Sequence, residues 1–236
     1  DGKPQAERAR ADSSATEAAY RTGRVNEGGG DLRKIPVIAV NVYTDPKGDI
    51  HDRFRAFVVR ERLADDKGDT PNLAIWTRPL PEGDTLLTSL AGAVNLGSSV
   101  VSVLDTWATN LAADTTSRPI VEKLKSAKPE QAVDSCFTAD GTLLDDGDDV
   151  YDGPGPCTDP YPVKGDPRII AGSPTKGDII ACSLQDVDTA LTAGIEKTEF
   201  SDAQAARLRS IFPDGVCDWT KSGRDRVDLA APWQHF

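Results

Sequence analysis

The sequence predicts an α/β fold, parallel strands plus helices, ending in a disulfide-stapled, loop-rich C-terminal extension. Three observations lead there. The run from Ile35 to Tyr43 is β-branched and nearly continuous, which suits a strand buried on both faces of a parallel sheet. Val100, Val103, Leu104, Trp107, Ala108 and Leu111 recur with helical period and mark an amphipathic helix. Cys136, Cys157, Cys182 and Cys217 sit in Gly-, Pro- and Asp-rich sequence with no CxxC pair, which fits disulfides and not zinc.

The elements follow in order, and composition divides the chain into 1–34, 35–133 and 134–236. Residues 1–34 are a polar lead-in with one short helix, for which Ser14-Ala-Thr-Glu17 has the form of a capping box. After the first strand, Asp45-Pro46-Lys47-Gly48 turns the chain and Asp49 is placed to cap a helix. Ile50, Phe54, Phe57 and Val58 fall on one face of that helix, with Arg53, Arg55, Arg60 and Glu61 elsewhere. Lys67-Gly68-Asp69 ends it, and Asn72 to Thr77 supplies a second strand, so 35–77 is a β-α-β unit with an expected right-handed connection.

Ser99 is the expected cap of the helix that carries Trp107. A final helix starts at Ser201-Asp-Ala-Gln204, again a capping-box pattern, with Leu208, Ile211 and Phe212 as its apolar face and Pro213-Asp214-Gly215 as its stop. The segment 134–182 between them is long and rich in Pro and Gly, which implies a functional or cross-linked loop. Of the three ways to pair four cysteines, Cys136 with Cys157 and Cys182 with Cys217 is favoured, because each bond then closes one continuous loop.

The chain has 236 residues, begins at Asp1 and contains no methionine, so the expectation is a processed or truncated piece whose N-terminal portion is missing. With 27 basic against 38 acidic residues the net charge is −11, which repels phosphate backbones and anionic lipid surfaces. No nucleic acid and no membrane are expected as partners. An even set of cysteines in such a chain suits secretion into an extracellular or periplasmic space.

Nucleophilic chemistry is hard to place. No G-x-S-x-G elbow occurs, Ser98 and Ser99 open a helix without a preceding strand, and Ser173 lies in a loop. Asp1 is not the Ser, Thr or Cys that an N-terminal nucleophile would require. The suggestive stretch is Thr44 to Arg53, because ligands and catalytic groups of open α/β sheets gather beyond the carboxyl ends of strands.

His51 there is a candidate general base, its ring kept neutral by a helix N-terminus, or else a structural cap. Asp45 is a candidate orienting acid or an Asx turn before Pro46, and Asp49 is a helix cap first and a triad acid second. His235 lies in a polar tail. Asp140, Asp145, Asp146, Asp148, Asp149 and Asp152 crowd one loop; its irregular spacing misses the EF-hand pattern, so a solvated acidic loop is expected, with calcium the alternative. No other cofactor is expected.

Ile35-Pro-Val-Ile, Asp49-Ile-His-Asp-Arg-Phe-Arg-Ala-Phe, Arg60-Glu-Arg-Leu63, Ala171-Gly-Ser-Pro, Cys182-Ser-Leu and Ile211-Phe-Pro-Asp-Gly-Val-Cys-Asp-Trp219 resemble the C-terminal third of a family of large secreted bacterial proteins. That family has no firmly assigned function and is distantly similar to tannases and other α/β-hydrolase esterases.

The resemblance implies the C-terminal portion of an α/β-hydrolase-like fold. The N-terminal portion of the same precursor would be the partner that supplies most of the sheet and the serine nucleophile, pairing with the Ile35 to Tyr43 strand. Asp45 would stand at the triad acid's place. The substrate would be a small-molecule or polymeric ester. One departure matters: Trp76-Thr77-Arg78-Pro79, after the next strand, has no histidine. Either His51 has taken that role, or the base lies elsewhere, or the scaffold is a noncatalytic secreted binding protein. The same triad on an amide substrate is a third reading.

Overall fold

The structure is a computed structural model that describes residues 12–25, 30–48, 50, 52–64, 68–80, 83, 94–163, 166–193 and 199–228. Contacts group the chain into two compact units, one of residues 28–164 and one of residues 1–27 with 165–236.

The unit of residues 28–164 is built on a sheet of strands β1 (Val37–Tyr43), β2 (Leu73–Pro79), β3 (Ser135–Phe137) and β4 (Leu143–Asp146), in that order. β1 pairs with β2 in parallel, Val37 opposite Leu73 and Tyr43 opposite Pro79, and β2 pairs in parallel with β3. β4 returns antiparallel to β3 across a bulge at Cys136/Phe137. The expected β-α-β unit is therefore present, while β3 and β4 arise in sequence that looked like loop.

Alternation of side chains across the strands gives the sheet two apolar faces. On one, Leu73 and Ile75 pack with Val37 and Ala39 against Ala56 and Leu63 of helix α2 (Phe54–Ala64). On the other, Ala74, Trp76 and Ile38 meet Val100 and Val103 of helix α3 (Val94–Ala113). Trp107 of α3 is fully buried against Leu124 of helix α4 (Ile120–Ala127) and donates its indole N–H to the Leu124 carbonyl at 2.9 Å.

Several local expectations change. β2, not β1, is the strand buried along its length; β1 forms an outer position of the sheet among the described residues, and its Val40 is 47% exposed. Ile50 precedes α2 and is 77% exposed, so the inward face begins at Phe54. Ser99 lies inside α3 instead of capping it, because the helix already starts at Val94.

The unit of residues 1–27 and 165–236 has little regular structure. Helix α1 (Ser13–Arg21) is capped by Asp12, whose Oδ1 accepts the Ala15 N–H at 2.9 Å, so Ser14 is within the helix and does not cap it. The short helices α5 (Pro167–Ile170) and α6 (Val187–Thr192) and helix α7 (Asp202–Ile211) accompany a two-stranded antiparallel ribbon, β5 (Ser183–Gln185) with β6 (Val216–Asp218). Ser201 and Gln204 form the expected capping box of α7. Ile211 is half exposed, however, and Ala205 is the buried residue of that helix, because Ile211 ends the last turn on the open side. Gly215 has φ of 101°, and a Cβ there would collide with the Gln185 carbonyl, so the Pro-Asp-Gly stop is also what lets β6 close on β5.

Cys136–Cys157 and Cys182–Cys217 are both bonded, the pairing favoured by loop closure. Two disulfides point to an oxidising environment. Among the described residues, no helix is long and apolar enough to cross a membrane.

Candidate active site

At the carboxyl end of β1 the chain passes through Thr44 and Asp45, 3% and 5% exposed, into a single 3-10 turn at Asp45–Lys47. Pro46 fixes φ for that turn, and Gly48 ends it in the left-handed region at φ 66°. The Asp45 side chain then reaches across eight residues: its Oδ1 accepts the backbone N–H of Arg53 at 2.8 Å, just ahead of α2. Asp45 thus ties the strand end to the helix start. Asp49 and His51 lie outside the described residues, as does His235.

Arg53 is fully buried beside this carboxylate. Its guanidinium donates to the Tyr161 carbonyl and lies 4.6 Å from the Tyr151 ring centroid and 5.3 Å from that of Phe57. Its Nε and Nη2 atoms make no hydrogen bond. Burial pushes the Arg53 pKa below its ordinary value, against the opposing pull of Tyr151, Asp45 and Tyr43. The sequence pattern places Arg53 and Arg60 away from the apolar face of the helix. With Phe57 they instead form a 53, 57, 60 series on one α2 face, an i, i+4, i+7 spacing that was the available signal.

Deeper on that face, Arg60 Nη2 meets both oxygens of Asp134, at 2.7 and 2.5 Å, and Asp134 Oδ1 accepts the Ile75 N–H at 2.8 Å. The Tyr151 hydroxyl lies 2.6 Å from Ser135 O, 3.0 Å from Thr77 Oγ1 and 3.1 Å from Ile75 O. Burial pushes its pKa up to about 12, so the phenol is neutral.

The segment after β4 covers the strand ends. Tyr161 packs on Tyr43 with centroids 5.2 Å apart, the Tyr43 hydroxyl donates to Pro162 O at 3.1 Å, and both rings pack with the Cys136–Cys157 bond. The disulfide therefore holds a loop whose Tyr161 carbonyl receives the Arg53 charge. That loop would have been found in the sequence only by knowing which strand Cys136 sits on.

The other sequence candidates do not join this group. Ser98 and Ser99 are exposed in α3, and Ser173 is buried in a loop of the other unit. The aspartates of the acidic loop disperse: Asp145 and Asp146 are in β4, and Asp140 accepts from Thr138 and from the Thr142 N–H. Among the described residues no group of three or more His, Cys, Asp or Glu is placed to hold a metal ion, so calcium has no ligand set there.

What the arrangement offers chemically is a buried carboxylate, positioned by a backbone amide, at the end of a parallel strand. A family model described as a tannase-like family of unknown function (DUF6351) matches residues 1–228. No curated protein and no solved structure gives a significant match.

Proposed function

Since the chain belongs to the tannase-like family of unknown function, we propose that it is the C-terminal portion of a secreted carboxylic-ester hydrolase whose serine nucleophile lies in a segment of the precursor outside this chain. Asp45 is the orienting acid and His51 the general base; Asp49 takes the acid role only if Asp45 does not. The observation that carries this reading is the buried Asp45 carboxylate, held by the Arg53 amide at the carboxyl end of parallel β1. His51 is two residues from Arg53 in sequence.

In this reading Asp45 accepts the His51 Nδ1–H and fixes the tautomer. Nε2 takes the serine proton as Oγ attacks the ester carbonyl, then returns it to the departing alkoxide. Water hydrolyses the acyl-enzyme by the same path in reverse. The outer edge of β1 is where the N-terminal portion of the precursor adds its strand, since that edge has no partner strand among the described residues.

A second reading, a noncatalytic binding protein on a hydrolase scaffold, is favoured by one observation: Asp45 Oδ1 is already engaged as a helix tether. One experiment separates them. The complete protein is treated with a fluorophosphonate and the labelled residue mapped, alongside His51→Ala. Hydrolysis predicts a labelled serine outside this chain and a loss of turnover of about 10⁴-fold with folding intact, the scale of a missing triad member. Absence of labelling in the folded protein removes the esterase reading, whereas unchanged turnover of a correctly folded His51→Ala removes His51 as the base and moves that role to another segment.

A further inference from the structure

The unit of residues 1–27 and 165–236 contains a cavity of about 310 Å³ between the β5–β6 ribbon and helices α6 and α7. We propose that this cavity, lined by residues of 165–236, binds a neutral aromatic molecule of about two fused rings independently of any hydrolysis at Asp45.

Three features of the cavity select that ligand. Its walls carry Val187, Leu191, Leu208 and Val216 with the aromatic faces of Phe200 and Trp219, and none of the described residues lining it is charged. That is notable chemistry in a chain of which 28% is Asp, Glu, Lys or Arg, and it rejects an ion because an unpaired charge would lose its hydration with nothing to replace it. Among the described lining side chains Gln185 and the Trp219 indole N–H are the groups able to hydrogen-bond, so a hydroxyl or carbonyl on the ligand can be met. The volume sets the size: an apolar cavity of about 150 Å³ takes benzene, so about twice that takes a naphthalene-sized group.

The walls are also fixed before any ligand arrives. Cys217 in β6 is bonded to Cys182, Gln185 pairs with Val216, and Gly215 allows the close strand approach. On the helical side Arg209 of α7 bridges to Asp188 of α6 at 2.5 to 3.1 Å. The Arg168 guanidinium lies 4.8 Å from the Trp219 ring centroid and holds that ring in place. A preformed, mostly apolar concavity with a few polar groups is the general form of a small-molecule site.

The probe is 2-naphthol, neutral at pH 7, titrated into the full chain by calorimetry, with 2-naphthoate as its charged counterpart. Expected are saturable one-to-one binding of 2-naphthol and binding of 2-naphthoate weaker by at least about tenfold. Two filling variants, Ala190→Trp and Leu191→Trp, should each weaken 2-naphthol by about tenfold or more while keeping the native circular dichroism. Two are made so that distortion of α6 in one does not stop the test; the variant that keeps its native spectrum decides. The proposal is overturned by a lack of saturable binding to the folded chain, by equal affinity for naphthol and naphthoate, or by a natively folded filling variant that still binds as the parent does. His51→Ala leaves this binding unchanged, which keeps the result distinct from the esterase test.

Discussion

The two compact units are held together by different means. In residues 28–164, four clusters of buried apolar side chains pack on the sheet and between its helices, and charged groups such as Arg53, Arg60 and Asp134 are fitted among them. In residues 1–27 with 165–236, polar tethers do the corresponding work. The Tyr20 hydroxyl donates to Asp178 O at 2.9 Å and accepts the Ile180 N–H at 3.0 Å, Arg226 and Lys176 both pair with Asp178, and Arg224 donates to Cys182 O. A sheet with helices on both faces buries enough apolar surface to tolerate internal charge. A two-stranded ribbon with short helices does not, and relies on cross-links.

The largest expected effect tests the first half of that contrast. Asp134 is almost fully buried, and its carboxylate satisfies both Arg60 and the Ile75 amide. Asp134→Ala strands a guanidinium and a backbone donor inside the sheet unit, and the expected loss is about 3 to 5 kcal/mol in chemical denaturation. If the loss is under about 1 kcal/mol, in the range of an exposed pair, the polar layer on the sheet is decoration and the clusters alone hold the unit.

The second effect is smaller and belongs to the other unit. Cys182 and Cys217 are 35 residues apart, and replacing both by Ala should cost roughly 2 to 4 kcal/mol. Cys136 and Cys157 are 21 apart, inside a unit with its own apolar clusters. Entropy of loop closure alone makes the two losses nearly equal, so the informative quantity is what survives. The sheet unit should keep cooperative unfolding without its bond, and the ribbon unit should lose it. Amide exchange in the two variants reads this directly.

What could be seen in the sequence follows the same division. Periodicity found β1, α2, β2 and the Trp107 helix, because each buries an apolar face long enough to show a repeat. Loop closure found both disulfides. The three-residue strands β3, β5 and β6 are too short for any pattern, and they pair because Asp134, Cys136 and Cys217 anchor them from elsewhere in the chain. At the candidate site, Asp45 was legible from its place after a strand. Arg53, Arg60 and Tyr151 were not, because charged and phenolic side chains are ordinarily counted as surface, and only the tertiary fit of Tyr161 O, Asp134 and Thr77 makes their burial tolerable.

The smallest expected effect is the response to acid, and its sign differs between the buried carboxyls Asp134 and Asp178. Burial pushes the Asp134 carboxyl above its ordinary value, against the pull of Arg60 and the Ile75 N–H. The native state then takes up that proton before the unfolded chain does, so this group's contribution to stability rises as pH falls through its folded pKa. Burial also opposes ionisation of Asp178, but there the Arg226 hydrogen bond and the Lys176 and Arg226 charges outweigh it, and the carboxyl is held below its ordinary value. Its contribution is present above the unfolded pKa and lost as pH falls through the folded one. Asp12, Asp186, Asp188 and Asp218 in the same unit are lowered too, by Ser14, Thr189, Arg209 and Thr220 respectively, though exposure to solvent weakens what the first three add. The sheet unit has lowered carboxyls in Asp114, down to about 2, and Asp140, with Asp134 opposing them. Acidification from pH 5 to pH 3, about the ordinary carboxylate range, should therefore loosen the ribbon unit first, seen as earlier loss of amide protection at Ile180 than at Ile75. Asp178→Asn should shrink that gap by removing the group that titrates. A gap that does not change in Asp178→Asn would mean that the buried tether at Asp178 is not what ties the ribbon unit's stability to pH.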